Sequence, residues 1–199
     1  FKFPVLTDRG GPFHAHKVAA TIRQLRDLKL KIPCFDTSVD LSSDPEAVAI
    51  LTSMLENARN AQVPYVVACA LQENEELVGE TLEKLLPVAE AAGVTLLLKT
   101  SGIYADTARL RSMLESFASD WLGALWDMHH PYRDFGESAD ATIKNLGTYV
   151  RHVHLRDSDD AHTYNLIGEG DLPVADMMRA LSSINYDGFI SLEWKPEWM

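Results

Sequence analysis

Four apolar runs in this sequence each end in a residue that could bind a metal ion or move a proton. They are residues 94–100 (VTLLLKT), 122–130 (LGALWDMHH), 150–157 (VRHVHLRD) and 189–194 (FISLEW). Runs of this kind are typical of buried parallel strands. Because the carboxyl ends of the strands form the active-site face of a βα barrel, we expect Asp127, His154 and Glu193 to converge there. Their oxygen and nitrogen donors suit a divalent cation, whereas Lys99, in the first run, does not.

The second and third runs carry further polar side chains that favour a site. Asp127 precedes His130 by three residues where a strand turns into a loop, so a carboxylate and an imidazole can reach one cation. The alternative is an aspartate that caps the turn beside surface histidines. In the third run, His152, His154 and Arg156 share one face of the strand. Arg156 could hold a substrate hydroxyl, carboxylate or phosphate, or pair with a neighbouring aspartate.

Glu193 is the best single candidate for a catalytic base. A carboxylate at a barrel rim beside a cation can remove a proton alpha to a carbonyl group while the cation stabilises the enediolate. The alternative is a structural ion pair with Lys99 or Lys195. Trp126 lies near the expected mouth, where its ring could stack on a sugar or serve as rim packing. Residues 167–173, with two glycines, form either a plain turn or a cradle for a polar ligand.

Strand-like and helix-like segments alternate along the whole chain, with no hairpin signals between them. Seven strands are predicted: residues 1–6, the segments around 32–35 and 63–71, and the four runs above. Helices are predicted near residues 16–30, 45–60, 74–92, 106–117, 138–146 and 174–183. The pattern predicts an α/β fold, a (β/α)8 TIM barrel that lacks its first strand and helix, as one N-terminally incomplete domain over residues 1–199. An open doubly wound sheet fits less well, because no glycine-rich fingerprint follows the first strand.

Composition narrows the classes of partner. The net charge of −11 over 199 residues argues against a nucleic-acid partner, which needs clustered Lys and Arg. No apolar run approaches the roughly 20 residues needed to cross a bilayer, so no membrane partner is expected. Cys34 and Cys69 form no disulfide framework or zinc-binding spacing. Buried reduced thiols, and therefore a cytoplasmic protein, are expected. A homo-oligomer is left open.

Taken together, the motifs W-D-x-x-H-P, H-V-H-L-x-D, G-E-G-D and I-S-L-E-W resemble the sugar phosphate isomerase/epimerase family. This is the superfamily of xylose isomerase-like TIM barrels, which also contains the apurinic-site endonucleases, inosose dehydratases and ketose 3-epimerases. The resemblance covers nearly the whole chain. It implies a divalent ion (Mn, Mg, Co or Zn) held by Asp127, His154 and Glu193, with Glu193 also moving a proton. It places His130 and Arg156 near a sugar-like substrate, and Trp126 and His152 are further candidates for substrate binding.

The sequence departs from the family at one ligand. The family's fourth ligand, a glutamate that usually acts as the second acid or base, falls at Lys99, and a protonated lysine cannot ligate a metal. Two alternatives follow: either the ion is absent and the ammonium of Lys99 takes its place, or the remaining three ligands hold the ion. Three interpretations of Lys99 stay open: a natural replacement with loss of catalysis, a change to new chemistry with lysine as catalytic base or Schiff-base former, or an engineered inactivating change.

The leading hypothesis is an isomerase, epimerase or related dehydratase of carbohydrate metabolism. It would act on a small sugar or polyhydroxylated carbonyl compound by metal-assisted proton abstraction alpha to the carbonyl. The alternative is a catalytically silent, metal-free barrel that binds a sugar-like ligand or forms one domain of a larger protein, which Lys99 favours. A metal-dependent hydrolase or nuclease is third, because the chain is acidic and reads H-T-Y at residues 162–164, where the endonucleases carry D-x-H.

Overall fold

The computed structural model describes residues 11–160 and 163–193, whose contacts group into two units. The first unit comprises the described residues as far as Leu97, together with Ser119–Leu122. Its elements are α1 (Val18–Asp27), β1 (Phe35–Asp40), α2 (Ala47–Ala61), β2 (Tyr65–Ala70), α3 (Glu75–Ala92) and the first residues of β3 (Thr95–Gly102).

The second unit comprises Leu98–Ala118 and the described residues from Gly123 onward. After the end of β3 come a short 3₁₀ helix (Ile103–Ala105), α4 (Thr107–Phe117), β4 (Leu122–Asp127), α5 (His129–Phe135) and α6 (Ala139–Leu146). The remaining elements are β5 (Val150–Leu155), β6 (Asp157–Ser158), β7 (Tyr164–Asn165), α7 (Val174–Ser183) and β8 (Ile190–Leu192). No helix in the described part of the chain is long and apolar enough to span a membrane.

Parallel strands separated by helices give the α/β class that the sequence predicts. In the first unit the strands lie in the order β1-β2-β3, and β1 pairs with β2 in parallel. In the second unit the order is β3-β4-β5-β8. Its parallel register puts Asp127 of β4 opposite His154 of β5, and Leu155 opposite Leu192 of β8. The carboxyl ends of these strands therefore lie side by side.

The ends of the helices follow from the local sequence. Asn74 caps α3 by accepting a hydrogen bond from the backbone N–H of Leu77, which satisfies one of the donors that a helix leaves open at its start. Gly93 ends the same helix in the left-handed region (φ 66°), a conformation that glycine adopts without strain and that commonly ends helices. Asp106 caps α4 through two backbone N–H groups. Asn74 and Asp106 thus determine where α3 and α4 begin, and Gly93 determines where α3 ends.

Two elements of the first unit begin later than predicted, the strand by three residues and the helix by about two. The strand predicted around residues 32–35 begins at Phe35 and runs to Asp40, and its register with β2 shifts near Ser38, which has a positive φ of 55°. The helix that follows, predicted near residues 45–60, begins at Ala47, and its N-cap is Glu46 and not Ser43, although serine is a residue type that often caps helices. Ser43 instead donates its hydroxyl to the Asp40 carboxylate at 2.7 Å, so its side chain stabilises the loop and not the helix.

The structure contains most of the predicted strands but differs from the prediction in other elements. Six of the seven predicted strands have counterparts, and the first, residues 1–6, lies outside the described residues. The absence of hairpins is wrong, because β6 and β7 pair in antiparallel orientation, and α5 was not predicted. Neither Cys34 nor Cys69 is in a disulfide within the described chain, but only Cys69 is buried. That residues 1–199 form a single domain stays a prediction.

Candidate active site

The structure brings together three residues at the carboxyl ends of β4, β5 and β8. Donor atoms of Asp127, His154 and Glu193 all lie within 4.8 Å of one another, and His154 Nδ1 is 3.7 Å from Glu193 Oε2. Glu193 follows β8 directly, and its backbone N–H donates to the carbonyl of Leu155 at 2.9 Å. The parallel register therefore positions the convergence that the sequence predicts.

Lys99, near the end of β3, lies inside this group. Its Nζ is 3.1 Å from Asp127 Oδ2 and 3.5 Å from Glu193 Oε2. The side chain is only 13% exposed, so the ammonium is largely shielded from solvent and bridges the two carboxylates.

Arg156 supplies a second cation to the same carboxylates. One guanidinium nitrogen is 3.2 Å from Asp127 Oδ2, and the other is 3.8 Å from Glu193 Oε2. We call Lys99, Asp127, His154, Arg156 and Glu193 the strand-end cluster. It contains two carboxylates, one ammonium and one guanidinium, so the charges of its acids and bases cancel when the imidazole is neutral.

His130, in the first turn of α5, lies at the edge of the strand-end cluster. Its Nε2 is 2.5 Å from an Arg156 nitrogen, and its Nδ1 is 2.6 Å from Asp134 Oδ2. A guanidinium can only donate hydrogen bonds. Nε2 must therefore be the acceptor, which assigns the ring proton to Nδ1 and its hydrogen bond to Asp134. Asp134 is a contributor that the sequence analysis missed, although its spacing of four residues from His130 is the helical signal that could have found it.

Both carboxylates of the strand-end cluster are held ionised. Burial alone would raise their pKa, because a desolvated setting disfavours the charged form. For Asp127, which is fully buried, the charges of Lys99 and Arg156 outweigh burial and hold the pKa well below its usual value. For Glu193, the contact with His154 and the charge of Lys99 outweigh burial and lower the pKa to about 2. At neutral pH, Glu193 is therefore unprotonated, and the same lowered pKa makes it a weaker base than an ordinary glutamate.

Two predicted substrate-binding residues lie deep in the protein. His152 is 1% exposed, and its Nε2 is 2.9 Å from Ser191 Oγ. Burial, aided by the charge of His154, lowers the pKa of His152 to about 4. Trp126 is also 1% exposed, and its indole N–H has no hydrogen-bond partner among the described residues. The structure thus shows both side chains packed in the interior, with neither ring face open to solvent.

The glycine-containing loop before α7 is organised by a buried carboxylate. Asp157 accepts hydrogen bonds from the backbone N–H groups of Gly168, Gly170 and Leu172 at 2.8, 3.1 and 3.2 Å. A polar ligand in this loop would bind to these backbone N–H groups, but they already donate their hydrogen bonds to Asp157. The geometry therefore favours the plain turn of the two interpretations of residues 167–173.

A divalent ion, which the resemblance implies, fits this site only in part. Asp127, His154 and Glu193 offer oxygen and nitrogen donors close enough to hold one ion. The place of a fourth ligand, however, is taken by Lys99, whose ammonium has no lone pair to offer and lies within ion-pair distance of two of the three donors. The strand-end cluster already contains two cationic side chains, Lys99 and Arg156, which balance the charges of its two carboxylates.

Part of this chain is similar in sequence to a curated sugar epimerase. A segment of 122 residues is 29% identical to fructoselysine 3-epimerase of Escherichia coli O157:H7, and it covers 58% of this chain and 44% of that protein. The match thus spans less than half the length of this curated relative.

Solved structures match over more of the chain. A D-tagatose 3-epimerase-like protein superposes with a TM-score of 0.78 at 18% identity, covering 94% of this chain and 79% of that one. The IOLI protein, solved with a bound zinc atom, gives a TM-score of 0.80 at 18% identity, covering 92% of this chain and 75% of that one. At such identities the likeness shows the fold alone, and it confirms the predicted TIM-barrel architecture. The family described as xylose isomerase-like TIM barrel matches residues 3–198, and the chain belongs to this family.

Proposed function

We propose that this protein is a sugar isomerase or epimerase that acts on a small sugar or polyhydroxylated carbonyl compound. The reaction is proton abstraction from the carbon alpha to the carbonyl group. The observation that carries the proposal is the state of Glu193, an ionised carboxylate between two cationic side chains that keeps 23% of its side chain exposed. It is the most accessible side chain of the strand-end cluster, so we propose that it is the first group of the cluster that a substrate meets.

The proposed step balances without any co-reactant. Glu193 takes the proton from the alpha carbon, and the electrons of the broken C–H bond move to the carbonyl oxygen and give an enediolate. The positive charges of Lys99 and Arg156 stabilise this anion as it forms. Return of the proton from Glu193 to the former carbonyl carbon, while the proton of the neighbouring hydroxyl passes to the enediolate oxygen, gives the isomer. Epimerisation at the same carbon requires a second proton donor on the opposite face of the enediolate.

Substrate recognition is assigned to the polar groups around the base. The guanidinium of Arg156 suits hydroxyl or phosphate oxygens, and its hydrogen bond to His130 holds it in one orientation. A phosphorylated sugar is therefore within the proposed substrate class. His152 and Trp126 are proposed to support the site from within, His152 by fixing Ser191 of β8, and not to contact substrate directly in this conformation.

A second candidate function is a catalytically silent, sugar-binding barrel. The observation that favours it is the ion pairing of Lys99 with both carboxylates, because a carboxylate engaged with an ammonium is a weaker base. In that case the same groups would bind a polyhydroxylated ligand without moving its protons.

Solvent-deuterium exchange separates the two functions. Candidate ketoses and ketose phosphates, including tagatose and fructose, are incubated with the protein in D₂O, and NMR follows the loss of the alpha proton. Exchange with the unaltered chain, reduced about 100-fold or more in Glu193→Gln, supports the enzyme. The matched control is Glu169→Gln, which makes the same change at an exposed loop position and should leave exchange intact. Binding of a sugar without exchange identifies the silent barrel.

A further inference from the structure

We infer that the ammonium of Lys99 takes the place of the divalent cation in the strand-end cluster, so that the site works without a bound metal ion. The inference rests on the proposed function, because it concerns the cation that would stabilise the enediolate in that same site. Its direct consequence is measurable without any activity. The unaltered chain should bind divalent ions weakly, and loss of the Lys99 charge should create a metal site.

The position of Lys99 is fixed by the strand pairing that carries it. Its neighbour Thr100 accepts a hydrogen bond from the backbone N–H of Asp127 at 2.9 Å, and its hydroxyl lies 3.1 Å from the Asp127 carbonyl oxygen. This double contact locks the register of β3 beside β4. The side chain of Lys99 is therefore held next to the Asp127 carboxylate by the sheet itself and is not a surface lysine that happens to bend inward.

The charge of the cluster leaves no need for a further cation. Asp127 and Glu193 together carry two negative charges, and Lys99 and Arg156 contribute two positive charges within 3.8 Å of them. A divalent ion held by Asp127, His154 and Glu193 would raise the local charge to +2 in a largely desolvated place, where like charges repel strongly. It would also have to displace an ammonium that lies 3.1 Å from one of its ligands.

The substitution Lys99→Glu removes both obstacles to metal binding, which are the excess of positive charge and the ammonium close to the ligands. It removes the competing ammonium and adds a carboxylate at the end of β3, so that the cluster offers three carboxylates and an imidazole, a donor set suited to Mn²⁺ or Co²⁺. Lys99→Gln removes the ammonium and adds only a neutral amide oxygen. The affinity should therefore rise in the order unaltered chain, Lys99→Gln, Lys99→Glu.

Isothermal titration calorimetry with MnCl₂ and CoCl₂ tests this order. We expect no binding tighter than about 1 mM in the unaltered chain, and at least a 100-fold gain in Lys99→Glu. Lys144→Glu, which makes the same charge change at an exposed position of α6, should show no gain. Circular dichroism establishes that each variant is folded, and Lys99→Gln decides the result if Lys99→Glu does not fold.

The outcomes are separable from those of the activity assay. Micromolar binding to the unaltered chain overturns the inference, and so does the absence of any gain in the folded Lys99 variants. Lack of deuterium exchange with every ketose would instead refute the proposed function and leave the calorimetric result standing.

Discussion

Replacement of Lys99 by methionine should destabilise the protein, and the loss should shrink in acid. Methionine conserves much of the length of the lysine side chain without its charge, so most of the packing is retained. Asp127 is fully buried, and the variant leaves it with Arg156 at 3.2 Å as its nearest remaining cation in the described chain. Part of the compensation for a buried charge is therefore removed.

The magnitude follows from the contacts of Lys99. Two unit charges 4 Å apart attract by about 4 kcal/mol at an effective dielectric constant of 20, and removal of one partner from a buried pair costs about 3–5 kcal/mol. Arg156 still compensates Asp127, and Glu193 is partly solvated. We therefore discount the cost to about 2–3 kcal/mol. For a chain of this size, that lowers Tm by roughly 4–12 °C.

Acid should reduce the difference, because Lys99 helps to hold the pKa of both carboxyl groups below their unfolded values of 3.8 and 4.5. A depressed carboxyl pKa stabilises the fold above the unfolded value, and that contribution is lost as the pH falls through the folded value. For Glu193 the folded value is about 2. The advantage of the unaltered chain over Lys99→Met should therefore narrow once the pH falls below these unfolded values.

Urea unfolding followed by circular dichroism, in the presence of a chelator, measures this effect at pH 7 and at acid pH. Lys144→Met is the control, since a surface substitution is expected to change stability by no more than about 0.5 kcal/mol. A loss no larger than in this control would refute the ion-pair reasoning. A loss that is the same at both pH values would refute the assignment of the effect to the two carboxylates.

Two further predictions concern residues outside the cluster. Gly170→Ala should lower the free energy of unfolding, measured with urea, by about 2–3 kcal/mol, because it would disrupt hydrogen bonds to a charged group. The new Cβ would lie 2.4 Å from the Asp157 carboxylate and 2.7 Å from the backbone of Ser158. The control is Gly79→Ala, which has open space around it and should be neutral or stabilising. His129→Phe should raise the free energy of unfolding by about 1 kcal/mol at pH 7, since neither ring nitrogen of this buried side chain has a hydrogen-bond partner among the residues described. Burial, more than any charge, lowers the pKa of His129 to about 4. The unaltered chain should therefore lose stability from about pH 6.5 down to that value, and an equal acid loss in the variant would contradict this reasoning.

The sequence was sufficient to predict the convergence of the main site residues. Asp127, His154 and Glu193 lie towards the ends of three of the four apolar runs, which are typical of buried strands. Parallel connection puts the carboxyl ends of strands at one edge, so the type of each closing residue predicts the contents of the site. Lys99 joins them from β3, the strand next to β4, three residues before β3 ends at Gly102.

Other features depend on contacts between distant residues, which a periodic pattern does not encode. The hydrogen bonds from the loop to Asp157 join residues more than ten positions apart, so a cradle and a turn look alike in the sequence. The role of Asp134 depends on α5, a helix of seven residues that is too short for its apolar spacing to stand out. The burial of Trp126 likewise reflects packing that the sequence alone left open.

The most direct test of the central claim is deuterium exchange into a ketose by protein that has been freed of metal ions with a chelator. If Glu193 moves the alpha proton with Lys99 and Arg156 as the stabilising cations, the chelated protein should exchange the alpha proton of at least one sugar, and added Mn²⁺ or Co²⁺ should change the rate by less than about twofold. Exchange that occurs only after a divalent ion is added would contradict the account.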